Sequence, residues 1–273
     1  MHRDRYDFSF YIDRWGLVPD GDSIVTDSSR LLPVRRDDKP AMLKIAVAPE
    51  EKWGAALMVW WNGIGAARVI HHDEDAVLLE RATGRRSLAD MVAHGEDDEA
   101  SRIICNVVAG LHAPRHSPPP ELVPLTDWFR ALAPVASREN GILVRSAEIA
   151  RTLLANPREV VPLHGDVHHG NILDFEERGW LAIDPKRLMG ERGFDYANLF
   201  CNPNDTVATA PARLAGQVNV VARAARLERK RLLQWIIAWT GLSAAWSIED
   251  GDDDRIRLTV QIAEIAAAEL DKS

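Results

Sequence analysis

In His164-Gly165-Asp166-Val167-His168-His169-Gly170-Asn171, an aspartate precedes an asparagine by five residues. A second aspartate, Asp184, closes the apolar run Leu181-Ala182-Ile183 and is followed by Pro185. The type, order and spacing of these three side chains are those of kinase-type phosphoryl transfer. In that chemistry Asp166 takes the proton of the substrate hydroxyl, while Asn171 and Asp184 hold the magnesium ions that bridge the nucleotide phosphates. One amide oxygen and one carboxylate, completed by phosphate and water, suit so hard a cation. The plainer reading is a polar loop of His and Asp side chains that satisfy one another. Agreement at three positions together weighs against it.

A nucleotide site needs a cation for the phosphates. Lys44 lies inside the apolar run Ala41–Val47, where an ammonium is costly without an anionic partner. The alternative is a lysine on the solvent face of an alternating strand. A kinase lysine pairs with a helix carboxylate, here Glu51, with Glu50 as the other choice. Thr26-Asp27-Ser28-Ser29-Arg30 stands where a glycine-rich phosphate loop would be. Small hydroxyl residues with their backbone N–H groups, Ser28 and Ser29 above all, can do that work. No GxxxxGK[ST] occurs, which excludes a P-loop enzyme. His168 and His169 have no second histidine pair or cysteine at metal-ligand spacing, so zinc is not expected, and His164 and His168 read as loop-orienting residues.

The elements that must position these groups fall into two kinds. From Ile24 to Val47, short apolar runs alternate with turn-formers at Ser28-Ser29 and Asp37-Asp38-Lys39-Pro40, which reads as strand, hairpin, strand. Phe10–Trp15 is a short amphipathic stretch, and Pro49–Trp61 reads as a helix with Trp53, Ala56, Leu57 and Trp60 on one face. Val69-Ile70 and Ala76–Glu80 make a second hairpin around Asp73-Glu74-Asp75. Helical periodicity then dominates: Ser87–Ala93, Asp97–Leu111, Thr126–Leu132, Ser137–Leu154, Arg213–Leu227, Arg229–Ser247 and Arg255–Leu270. Pro114 to Pro124 is a proline-rich surface connector. Strands first and helices later predict a small β-rich lobe joined to a larger helical one.

Composition narrows the partners. A net charge of −8 argues against nucleic acid and favours a cationic ligand, although acidity also serves solubility alone. Cys105 and Cys201, both in apolar surroundings, read as free thiols in a reducing compartment. The first residues carry acids and no apolar stretch, and no run reaches membrane-helix length, so a cytoplasmic protein with no membrane partner is expected.

HGDxHxxN followed by IDP resembles the aminoglycoside phosphotransferase family. Three further stretches are similar to its branch of aminoglycoside 6-phosphotransferases (streptomycin 6-kinases) and hydroxyurea phosphotransferases: Trp60–Ala66, Arg178–Pro185 and Gly241–Trp246. The likeness runs from about Thr26 to the C-terminus. It implies an α+β, protein-kinase-like two-lobed fold, with a small antiparallel-sheet N-lobe (1–82) carrying one helix and a mainly helical C-lobe (83–273). It implies ATP (or GTP) with Mg2+, an adenine edge read by the backbone of Glu80 and Ala82, and a monomer or weak dimer. The acceptor expected is a small molecule, a cationic aminoglycoside.

Asp195, Trp246, Glu249 and Asp250 are the candidate acceptor contacts, since carboxylates attract guanidinium groups and a tryptophan can stack on their flat face. Each has a rival role. Asp195 can anchor the catalytic loop, and Asp252–Asp254 can cap the helix that follows. Hydroxyurea or another hydroxyl metabolite is the alternative acceptor. A nucleotide-binding pseudo-kinase is disfavoured because binding alone does not need Asp166. A protein kinase is disfavoured because no APE-type signature follows Asp184.

Overall fold

The computed structural model describes residues 7–26, 29–47 and 54–272. Strands β1 (Val18–Pro19), β2 (Ile24–Val25), β3 (Ser29–Arg36), β4 (Lys39–Ala46), β5 (Val69–His72) and β6 (Ala76–Glu80) form one antiparallel sheet. Its order is β1-β3-β4-β6-β5, with β2 also on β3. The β3–β4 hairpin closes through Asp37 and Asp38, at φ 49° and 59°. Two successive left-handed residues give the turn whose twist matches that of the strands, and Asp tolerates that region.

The pleat sorts the side chains of this sheet. Leu32, Val34, Leu43, Ile45 and Leu78 point to one face, where the helix Phe8–Trp15 lays Tyr11 on them in a small separate core. The opposite face carries Leu31, Met42, Lys44, Val77 and Leu79, with Lys44 in register between Leu31 and Val77. Alternation therefore turns Lys44 into the interior cleft.

Of the helix expected over Pro49–Trp61, Gly54–Trp61 is helical, and the residues before Gly54 lie outside the described ones. Later helices run Leu88–Ala93, Asp97–His112, Ile142–Ala155, Arg213–Ala224, Arg229–Asp250 and Asp253–Leu270. The helix expected over Ser137–Leu154 instead starts at Ile142, because Gly141 breaks the chain at φ 71° after a short helix Leu132–Ala136. Thr126–Leu132 is likewise divided, into Leu125–Trp128 and a 3-10 turn Phe129–Ala131.

Arg229–Asp250 is buried on nearly all sides, as a helix apolar all round must be. It crosses Ile142–Ala155 so closely that a Cβ on Gly241 would collide with Ser146. Two short sheets frame the polar loop. β7 (Val123–Pro124), β8 (Val160–Leu163) and β11 (Leu188–Glu191) make one; β9 (Ile172–Asp174) and β10 (Trp180–Ala182) make the other. β8 leads into His164–Asn171 and β9 leads out; β10 delivers Ile183 and Asp184. No described helix is long and apolar enough to cross a membrane.

Candidate active site

The loop His164–Asn171 is held by its backbone. His164 and Gly165 donate their N–H groups to the two carboxylate oxygens of Asp195, at 2.9 and 2.7 Å. Gly165 stands at φ +83°, and a Cβ there would lie 2.8 Å from a Leu188 methyl. Only glycine meets both conditions. The Asp166 N–H donates to His164 Nδ1 at 3.2 Å, which leaves Nε2 as the protonated nitrogen, 2.8 Å from the Ile183 carbonyl. His164 thus ties this loop to the strand that carries Asp184. His168 accepts the Gly170 N–H on Nδ1 at 3.1 Å. Both histidines orient backbone.

Two pairs of the constellation are joined directly, and a backbone bond brings them together. Asn171 donates Nδ2 to the Asp166 carbonyl at 2.9 Å and to Asp166 Oδ2 at 3.3 Å. The Ile183 N–H donates to the Asn171 carbonyl at 2.9 Å, which sets Asn171 beside Asp184. Asp184 itself has φ 61°, a left-handed conformation that costs a non-glycine residue energy and tends to mark functional sites. Its carboxylate forms an ion pair with Lys44, which is only 9% exposed. The solvent-face reading of Lys44 is therefore replaced by a buried, paired one.

Lys44 and Asp184 close one end of a cavity of about 400 Å³, within the range of small-molecule sites. Leu31, Met42, Val77, Leu79, Leu173 and Phe175 make an apolar slot, and Thr26, Ser29, Lys44 and Asp184 line its polar end. The Thr26 hydroxyl accepts the Ser29 N–H at 3.0 Å. Glu80 and Ala82 also line the cavity. The Glu80 side chain is turned to the Arg68 N–H, at 2.6 Å, and to an ion pair with Arg178. The two remaining candidates, Ser28 and Glu51 (with its alternative Glu50), lie outside the described residues.

An oxygen-only donor pair suits magnesium. Asn171 turns Nδ2 toward Asp166, so its amide oxygen is directed elsewhere, and Asp184 supplies a carboxylate next to it. Two protein oxygens plus phosphates and water is the manner in which magnesium is usually held.

Asp195 corrects the sequence reading. Its side chain is fully buried, and besides the two backbone donors it bonds His112 Nε2 at 2.7 Å. With both oxygens committed inside the protein it cannot reach an acceptor, and it anchors the loop instead. Trp246 is half-buried, edge-on to Trp128 with centroids 5.4 Å apart. Glu249 and Asp250 are exposed on the last turn of their helix. Asp252 caps the next helix, accepting the Arg255 N–H at 3.0 Å. That helix starts close to the catalytic loop. Burial pushes the His168 imidazole below its ordinary pKa, the charges of Asp166 and Asp184 oppose the shift, and Arg255 adds to it.

Sequence reading missed several residues. Asn198 donates to Asp166 Oδ1 at 2.8 Å. Asp174 pairs with Arg86 at 2.8 Å and is held down to about 2 by that guanidinium; it fastens the chain after the cleft to β9. Arg115 stacks over Trp60 and donates to the carbonyls of Ile64, Gly110 and Leu111. The three branch-like stretches are largely packing. Ala182 exchanges backbone bonds with Gly65 and Ala67 at 2.9 Å each, and Arg178 reaches the Gly63 carbonyl, so the first two stretches clamp one lobe to the other.

A family model for aminoglycoside/hydroxyurea antibiotic resistance kinases matches residues 14–251. The chain belongs to that family. It is 51% identical over 262 residues to a streptomycin 3''-kinase of Klebsiella pneumoniae, covering 94% of this chain and 98% of that one. It is 32% identical to a streptomycin 6-kinase of Streptomyces griseus, covering 88% and 81%. An aminoglycoside phosphotransferase solved with ADP and hygromycin B superposes with a TM-score of 0.70 at 13% identity, over 96% of this chain and 97% of that one. The α+β, protein-kinase-like two-lobed fold expected from the sequence is the fold found. The 6-kinase branch is not singled out, since the 3''-kinase shares more of the sequence.

Proposed function

We propose that the protein is an ATP-dependent O-phosphotransferase that inactivates streptomycin. The observation that carries this reading is the linked set of Asp166, Asn171, Asp184 and Lys44, the last two at the polar end of the apolar cavity. The 51% identity to a streptomycin 3''-kinase supplies the acceptor. In the proposed step the acceptor hydroxyl yields its proton to Asp166 as its oxygen bonds to the γ-phosphorus. The bond from that phosphorus to the β–γ bridging oxygen breaks, and ADP leaves with the electron pair. Asn171 and Asp184 would hold magnesium, which neutralises charge on the β- and γ-phosphates when bound. Lys44, paired with Asp184, adds its ammonium beside them, and Thr26 and Ser29 lie at the same end of the cavity. Positioning and charge neutralisation supply most of the catalysis in such a transfer.

The base is read by backbone. A carbonyl at Glu80 and an N–H at Ala82 match the donor and acceptor of adenine and oppose those of guanine, which favours ATP over GTP. The acceptor would approach from the helical lobe, where Trp246, Glu249 and Asp250 offer an aromatic face and negative charge to a guanidinium group.

The test is turnover of streptomycin with ATP and magnesium, followed by NMR assignment of the phosphate. The higher identity to the 3''-kinase predicts the 3''-hydroxyl; the 6-hydroxyl is the other outcome. Phosphate on hydroxyurea and none on streptomycin would reject the acceptor while leaving the kinase reading in place.

A further inference from the structure

Asp166 is constrained from two sides. Asn171 lies 3.3 Å from Oδ2, and its amide hydrogens are shared with the Asp166 carbonyl at 2.9 Å. Asn198 makes the shorter side-chain contact, with Nδ2 2.8 Å from Oδ1. Its own amide is fixed in turn. Asn202 donates Nδ2 to Asn198 Oδ1 at 3.1 Å and to the Asn198 carbonyl at 2.9 Å. Asn198 is 5% exposed, so the amide that meets the carboxylate lies inside the protein, held in turn by the half-buried Asn202.

We propose that Asn198 is a positioning residue for phosphoryl transfer, fixing the rotation of the Asp166 carboxylate, and that Asn202 fixes Asn198. The inference rests on the assignment of Asp166 as the proton acceptor. Rotation about the last bond of an aspartate is soft, with broad minima. A base must hold a lone pair at hydrogen-bond distance from the proton it takes. Locking Oδ1 onto a buried amide turns Oδ2 to a defined direction. Without Asn202 the Asn198 amide could rotate and set its oxygen against the carboxylate, a repulsive contact. The donor is also neutral. An ammonium or guanidinium in its place would hold the carboxylate ionised and make it a poorer proton acceptor. The same stretch carries Asp195, which pins the backbone of the loop, so a single segment sets both the backbone and the carboxylate of the base.

The alternative is a buried asparagine that is merely satisfied. A double-mutant cycle separates the two. Asn198→Ala, Asn198→Leu and Asn202→Ala are made in the full-length parent and in Asp166→Asn, and both streptomycin phosphorylation and slow ATP hydrolysis to water are read. In the parent, Asn198→Ala and Asn198→Leu lower kcat by roughly 10–100-fold, the scale of lost outer-shell support. KM for ATP and for streptomycin stays within about threefold, as loss of a transition-state interaction demands. In Asp166→Asn the same substitutions cost nothing further, because they act through the group already removed. Asn202→Ala gives the same pattern with a smaller drop. Equal losses in both backgrounds, or a folded Asn198→Leu with parental kcat, overturn the proposal. If the Asn198 variants do not fold, Asn202→Ala decides alone, and unchanged turnover overturns it. A parent that hydrolyses ATP but leaves streptomycin untouched refutes only the acceptor, and the cycle is then read on hydrolysis.

Discussion

At the scale of single residues, Asp184 carries two constraints at once: a left-handed backbone and an ion pair with the buried Lys44. Both leave its carboxylate facing the polar end of the cavity, where the triphosphate would arrive. Asp184→Ala should therefore abolish the magnesium dependence of ATP-analogue binding, since the phosphates lose their bridging ion. Isothermal titration with and without magnesium measures it; an unchanged magnesium effect would assign the ion to another carboxylate. The catalytic loop and Asp184 were legible because their spacing is local and their order is fixed by chemistry. Asn198 was not, and Asp195 was legible only as two rival roles, acceptor contact or anchor of the loop. Both act on residues about 30 positions away, and nothing in a linear string says that Asp195 turns inward.

At the scale of elements, pleat and helix periodicity told most of the story, and the misses have physical causes. Lys44 and Leu43 alternate faces as a strand requires, so the cleft side of β4 was readable. The helix start at Ser137 was misplaced because Gly141 can leave the helical region at little cost, which periodicity does not register. The acidic run Asp250–Asp254 shows two roles meeting at one junction. Asp250 ends a helix and is exposed, while Asp252 caps the next. Asp252→Ala should lower stability by about 1 kcal/mol, the usual loss for an N-cap, with acceptor KM unchanged. Asp250→Asn should do the reverse, raising acceptor KM and leaving the unfolding midpoint alone. Thermal unfolding beside steady-state kinetics reads both. A raised acceptor KM in the Asp252 variant would bring the cap itself into the acceptor site, whereas an unchanged KM in the Asp250 variant would remove this junction from it.

At the scale of the molecule, the two lobes share a core in which Leu57, Trp61, Val77 and Leu79 pack with the helical lobe, and they are joined by more than the segment that follows β6. The bonds from Gly65 and Ala67 to Ala182, and from Arg178 to Glu80 and Gly63, make a second tie. This explains why branch-like sequence says little about substrate: much of it holds the lobes in register. The acceptor must be read from charge, and the chain carries −8 overall with a dense acidic patch at Glu249–Asp254. A cationic sugar would feel this field before contact, whereas ATP would meet a buried lysine whose interaction salt screens far less. Raising ionic strength from about 0.1 to about 1 M shortens the screening length from about 10 to about 3 Å. Streptomycin KM should therefore rise steeply over that range, with ATP KM changing much less. In the double variant Glu249→Gln, Asp250→Asn, the slope of log KM against log salt should flatten, because those charges supply the attraction being screened. An acceptor KM indifferent to salt in the parent would mean that the sugar is held by neutral contacts. The acidic patch would then serve only solubility and helix capping.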